Sequence, residues 1–134
     1  MLVSQNTDFR SDNILGLKNQ LDILNTLQSV FDTSILETKD KYCKWDYDDK
    51  YGNHYELKSR RTMKKTYPTT LLPCHKIMNM SAKQIFLFKF VDKLCYIEYD
   101  DRFKEFETEW ITDARTRSRD LHYYIPVELL IDIV

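Results

Sequence analysis

Trp45-Asp46-Tyr47, then Lys50-Tyr51-Gly52-Asn53, then Tyr55-Glu56-Leu57-Lys58-Ser59-Arg60-Arg61, with a basic tail reaching Lys76, is the stretch whose reading decides the fold. Gly52-Asn53 separates two aromatic-rich runs, the pattern of a hairpin turn, although the connection is longer than a tight two-residue loop. The expected hairpin covers residues 41–61, with strands at 41–47 and 54–61. Side chains alternate along a strand, so Glu56 and Lys58 share one face and Leu57 points into a core on the other. Folding back at the turn brings Asp46 towards Glu56. Two convergent carboxylates, with the backbone carbonyl of Leu57 as a third oxygen donor, suit a hard cation such as Mg²⁺. A bound metal ion lowers the pKa of a water and polarises a phosphoryl oxygen, while the Lys58 ammonium orients the nucleophile or offsets developing charge. That is phosphodiester hydrolysis in outline.

Asp46, a gap of nine residues, and Glu56-Leu57-Lys58 together resemble the PD-(D/E)xK nuclease superfamily. The size and the gap are most similar to its small phage- and virus-type, junction-resolving endonucleases. The resemblance implies a restriction-endonuclease-like α/β fold and an Mg²⁺ or Mn²⁺ cofactor. It also implies Asp46 and Glu56 as metal ligands, Leu57 as the carbonyl ligand and Lys58 as the catalytic lysine. Trp45 stands where the family name has proline, and the acidic residue that many members carry on the first helix has no obvious counterpart. Glu-x-Lys by itself also fits a solvated strand face bearing a cross-strand ion pair. The hairpin context, the basic segment that follows and the order of elements favour the nuclease reading.

The 134 residues fit one domain, 1–134, with a single core. A composition of 43% hydrophobic and 13% aromatic residues is that of a globular protein and argues against disorder. The net charge of -1 leaves no whole-chain footprint for nucleic acid, but charge is segregated locally. Residues 58–76 carry Lys58, Arg60, Arg61, Lys64, Lys65 and Lys76 with no acid, whereas residues 1–57 hold ten acids against six bases. Within that segment Arg60, Arg61, Lys64, Lys65 and Lys76 are candidates for holding a nucleic-acid backbone, and Tyr67 for stacking on a sugar or base. A solvated loop is the alternative for the same residues. The resemblance adds that small phage and viral relatives often carry a Tyr-Pro-Thr-Thr-like segment and a lysine after the Glu-x-Lys strand, as Tyr67-Pro68-Thr69-Thr70 and Lys76 do here.

Cys43, Cys74 and Cys95 are widely spaced and form no Cys-x-x-Cys pair, which suggests a reducing compartment, cytoplasmic or nuclear. No secretory signal or membrane span is expected. Only Gly16 and Gly52 occur, so a glycine-rich phosphate loop is excluded.

Along the chain, residues 1–10 read as a polar lead-in, followed by a helix from Ser11 or Asp12 to about Phe31 with one apolar stripe. Gln20 and Gln28 lie near that stripe, where either could reach the metal site or edge a buried face. Asp48 shares strand parity with Asp46 and is its main rival, Glu37 is a further candidate, and His54 shares parity with Glu56. A short helix is expected in 71–78, an interior strand over 84–91, its hairpin partner over 94–100 and a strand near 105–110. A loop carries Arg115, Arg117 and Arg119, either as a second phosphate-binding arm or as a solvated loop. A strand over 121–125 and a terminal helix over 127–133 follow. The row Glu105, Glu107 and Glu109 reads as an edge guard. These elements make an α/β domain with a mixed central sheet flanked by helices.

The functional expectation is a metal-dependent endonuclease acting on DNA, on branched or distorted duplex, with RNA left open as the substrate. A homodimer would let two sites cut two strands. A catalytically silent nucleic-acid-binding module and a protein-interaction domain of the same fold are the alternatives.

Overall fold

A computed structural model describes residues 20–40, 42–78 and 81–134, with the backbone alone for Gln20 and Leu21. The expected polar lead-in and the first turns of the long helix lie outside these residues. The elements run α1 (Gln20–Val30), β1 (Leu36–Glu37), β2 (Tyr47–Asp48), β3 (His54–Ser59), β4 (Thr69–Pro73), β5 (Gln84–Lys89), β6 (Leu94–Glu98), β7 (Thr108–Thr112), β8 (Arg119–Pro126) and β9 (Ile131–Asp132). Single 3₁₀ turns at Cys74–Lys76, Asp101–Glu105 and Val127–Leu129 link some of them.

A six-stranded sheet has the order β1-β2-β3-β5-β6-β9, and a three-stranded sheet the order β4-β8-β7. In the large sheet β3 and β5 run parallel and the other pairs antiparallel, so the sheet is mixed. The β2–β3 hairpin forms, with Tyr47 opposite Tyr55 and Asp48 opposite His54, but its first strand is Tyr47–Asp48 where 41–47 was expected, which leaves Asp46 just outside it. Asp49 closes its turn by accepting from the Tyr51 and Asn53 backbone N–H groups, the Asn53 amide and the Tyr55 hydroxyl. Gly52 sits at φ 82°, a left-handed conformation that glycine adopts without the Cβ clash.

Strand parity divides the core in two. Tyr47, Tyr55, Ile85 and Leu87 face α1, where Ile23 and Leu27, one helical turn apart, are buried against them. Phe86, Phe88, Cys95 and Ile97 face the other way and meet Leu72 and Ile125 of the small sheet, with Phe103 between. Gln84-Ile85-Phe86-Leu87-Phe88 is buried throughout, the signature of a strand covered on both faces. Burial of each apolar side chain among them contributes about 1.5–3 kcal/mol.

The layers are therefore helix, large sheet and small sheet. The expected mixed sheet is present, but in place of the flanking helices α1 is the sole α-helix among the described residues and β-structure covers the second face. Two expected helices are corrected as well. Thr69–Pro73 is a strand paired with β8, leaving one 3₁₀ turn at Cys74–Lys76. Residues 127–133 make one turn and then β9, which pairs with β6 through Tyr96 and Ile131. In both places the segment is too short for a helix that holds on its own, and pairing with a neighbouring strand satisfies its backbone groups instead.

Candidate functional site

Asp46 lies just before β2, where its backbone N–H donates to the Tyr55 carbonyl at 3.1 Å beside the Tyr47–Tyr55 pair. The ladder then changes character, because the Leu57 N–H donates to the Asp46 carboxylate, Oδ2, at 2.8 Å. N–H and C=O of one strand residue point to the same edge, so the Leu57 carbonyl also faces the Asp46 side. Asp46 is thus held against Leu57, near enough for its charge to act on Glu56.

Glu56 is 8% exposed, and its Oε1 lies 3.2 Å from the Lys76 ammonium and 3.6 Å from that of Lys58. Burial, and then the Asp46 charge, push the Glu56 carboxyl above its ordinary range, and Lys76 and Lys58 offset part of that. Lys58 is shifted the opposite way: burial lowers it, with Lys76 and Arg60 adding repulsion and Glu56 opposing. An acid pushed up beside a lysine pushed down brings the two groups closer in proton affinity, the arrangement that suits proton transfer.

The sequence reading placed Lys76 among the backbone-holding cations. The structure brings it into contact with Glu56. Gln84, which no pattern in the sequence singled out, explains the placement: its amide donates to the Lys76 carbonyl at 2.7 Å and accepts from the Met78 N–H at 3.1 Å. This buried clamp fixes the 3₁₀ turn that carries Lys76. A lone glutamine at the start of an apolar strand gives no signal of such a role.

The remaining candidates separate. Asp48 lies one step back along the hairpin, opposite His54, and accepts from the Trp45 indole at 3.4 Å. Glu37 is opposite Tyr47, which puts it on the other face of the sheet. Gln20 begins the described part of α1, which covers that other face too; its side chain lies outside the described residues. Gln28 donates to the Ile35 carbonyl at 2.8 Å and anchors the end of the helix. His54 stacks on Trp45 with ring centroids 3.5 Å apart, and burial holds its imidazole below the ordinary range.

Within the basic segment two cations turn inward. Arg60 donates to Thr70 Oγ1 at 3.0 Å and to the Leu71 carbonyl, and lies over the Phe88 ring, so it joins the large sheet to the small one. Lys64 reaches Asp132 at 2.6 Å and ties the segment to β9. Arg61, Lys65 and Tyr67 are exposed. The 113–118 loop closes on itself through Asp113, and Arg119 lies over the exposed Trp110 ring.

A cavity of about 610 Å³ opens beside this cluster, lined by Lys58 at the end of β3, by the 60–64 and 67–68 segments and by β4 and β8. Lys58 belongs to both the cluster and the cavity.

Among the described residues no three His, Cys, Asp or Glu side chains converge as a metal cage. The donors at Asp46 and Glu56 nevertheless fit a hard cation. Glu56 is held out of water with a second carboxylate near enough to raise it, a repulsion that a divalent ion relieves. Mg²⁺ commonly binds through one or two carboxylates and keeps water or phosphate oxygens in its remaining positions.

Comparison with family models, with curated proteins and with solved structures found no match to this chain. Among the described residues no helix is long and apolar enough to cross a membrane.

Proposed function

We propose that this protein is a metal-dependent endonuclease that hydrolyses phosphodiester bonds in DNA. The observation carrying the reading is the buried Glu56 held between Lys58 and Lys76 with the Asp46 carboxylate near enough to act on its charge, Lys58 also lining a cavity that Arg61 borders. Asp46, Glu56 and the Leu57 carbonyl are the groups that would hold Mg²⁺ or Mn²⁺. When bound, such an ion supplies an activated water and neutralises phosphate charge.

The chain's own residues do the rest. Lys58, with its proton held less tightly than an ordinary lysine, orients the attacking water and passes a proton at Nζ. Lys76, fixed by Gln84, sets the charge on Glu56 and faces the negative charge that grows on the phosphoryl oxygens. Arg61, Lys65 and Tyr67 lie exposed on the segment leaving β3, where they meet the flanking backbone. A homodimer setting two such centres on a duplex belongs to the proposal and is checked by sedimentation.

A catalytically silent binding module is the second reading. It is favoured by the two ammonium groups that already neutralise Glu56. Cleavage of supercoiled plasmid, linear duplex, single strand, four-way junction and structured RNA, each with Mg²⁺, Mn²⁺ or EDTA, separates the readings. Cutting that needs metal and is lost in both Asp46→Asn and Lys58→Ala supports the endonuclease. Salt-sensitive binding without cutting supports the silent module.

A further inference from the structure

The cavity of about 610 Å³ is not consumed by the chemistry at Glu56. Its volume falls inside the roughly 300–1,000 Å³ range of small-ligand sites. A duplex does not enter a space of that size; a single nucleotide does.

We propose that this cavity receives one unpaired nucleotide of the substrate strand, next to the phosphodiester held at Lys58, so that the preferred substrate is DNA carrying a bulged, flapped or single-stranded nucleotide. The placement beside the reacting phosphodiester rests on the endonuclease reading above.

The lining combines cations with aromatic rings. Lys58 and Arg61 belong to it and suit the phosphates on either side of the scissile bond. The rings of Tyr67 and Tyr124, with His122, line the same space. Tyr67 is 62% exposed and offers a face on which any base can stack. His122 Nδ1 lies 2.9 Å from the Asp120 carbonyl oxygen, which leaves Nε2 as the acceptor of the neutral ring. Polar atoms among apolar walls match the way extruded bases are read, by stacking together with hydrogen bonds to the base edge.

The frame around the space is braced. Arg60 bridges β3 to β4 through Thr70 and Leu71, and Lys64 pins the 60–68 segment to β9. The cavity is therefore a built feature of the junction between the two sheets. An unpaired nucleotide enters it without the unpairing energy that a base within a duplex must give up, a few kcal/mol, and this difference is the source of selectivity.

The test is binding in EDTA, so that no cleavage intervenes. Fluorescence anisotropy compares a fully paired duplex with the same duplex carrying one extra nucleotide, and 2-aminopurine at the extra position reports stacking. The proposal expects the bulged duplex to bind at least about tenfold tighter than the paired one. Tyr67→Ala lowers bulge affinity roughly 5- to 150-fold and abolishes the 2-aminopurine signal, whereas Tyr67→Phe keeps both. Equal affinity for the two duplexes, or a bulge preference that survives Tyr67→Ala, overturns the proposal. Cleavage with Mg²⁺ is scored separately. Metal-dependent cutting with no preference for the bulge overturns the nucleotide pocket and leaves the endonuclease standing. Tyr67-dependent bulge binding without any cutting supports the pocket and overturns the endonuclease.

Discussion

Replacing Lys76 by methionine removes one charge beside a buried acid while keeping much of the side-chain length, and the consequence depends on pH. Glu56 is 8% exposed with Lys76 at 3.2 Å and Lys58 at 3.6 Å. A unit pair at about 4 Å attracts by about 4 kcal/mol at an effective dielectric constant near 20. Breaking one side of a buried pair costs about 3–5 kcal/mol. Glu56 has an escape that caps this loss, because it can take up a proton. From its ordinary value of 4.5 to pH 7, that costs at most about 3.4 kcal/mol. Lys58 remains as a partner, so the expected destabilisation of Lys76→Met is about 2–3 kcal/mol at pH 7.

The sign follows from proton binding. Glu56 is already above its ordinary range, and loss of Lys76 raises it further. The folded state then holds the proton more tightly than the unfolded chain. The destabilisation is therefore absent below the value Glu56 has in the folded wild type, itself above 4.5, grows as the pH rises towards the higher folded value of the variant and levels off above it. Urea unfolding followed by the fluorescence of Trp45 and Trp110 should give a difference from wild type of under about 1 kcal/mol at pH 5 and about 2–3 at pH 7. Glu56→Gln in the Lys76→Met background should return most of the lost stability at pH 7, since no charge is left to strand. A difference that does not change between pH 5 and pH 7, or a double variant no more stable than Lys76→Met, would refute the reasoning.

Asp46→Ala leaves the half-buried Leu57 N–H without its acceptor and should cost about 1 kcal/mol in urea unfolding. Asp46→Asn keeps an acceptor oxygen and should cost less, which makes it the cleaner variant for activity assays. Leu27 is fully buried between α1 and the sheet, so Leu27→Ala should lower stability by about 2–5 kcal/mol in the same assay. Cys95 is buried and its thiol is pushed up to about 12, chiefly by burial, with the hydrogen bond to Asp132 adding to it. Thiol labelling of the native protein at pH 8 should therefore modify Cys43 and Cys74 and reach Cys95 only on unfolding.

The β2–β3 hairpin was legible because its signals are local. A glycine-asparagine turn between aromatic runs, with acids and bases at even spacing, needs no distant partner to be read. The parity of Glu56 and Lys58 against Leu57 followed from strand geometry alone, as did the burial of residues 84–88. The small sheet was not legible, since Thr69–Pro73 is a strand by virtue of β8, which lies about fifty residues later in the chain. Apolar runs as short as Leu71-Leu72 and Leu129-Leu130 fit a strand or a turn of helix equally well. The inward turn of Arg60 and Lys64 was hidden for the same reason, because their partners Thr70, Leu71 and Asp132 come from other elements. Lys76 was visible as a basic residue. Its approach to Glu56 depends on Gln84, whose side chain spans a turn that the sequence does not mark.

The central claim is that Asp46 and Glu56 together form a divalent-cation site. Isothermal calorimetry of Mn²⁺ into the wild type, Asp46→Asn and Glu56→Gln tests it most directly, with urea unfolding confirming that each variant is folded. The account predicts saturable binding by the wild type that strengthens as the pH rises and Glu56 loses its proton, and that is lost in both variants. Absence of saturable binding by the wild type, or binding that survives both substitutions, would contradict it.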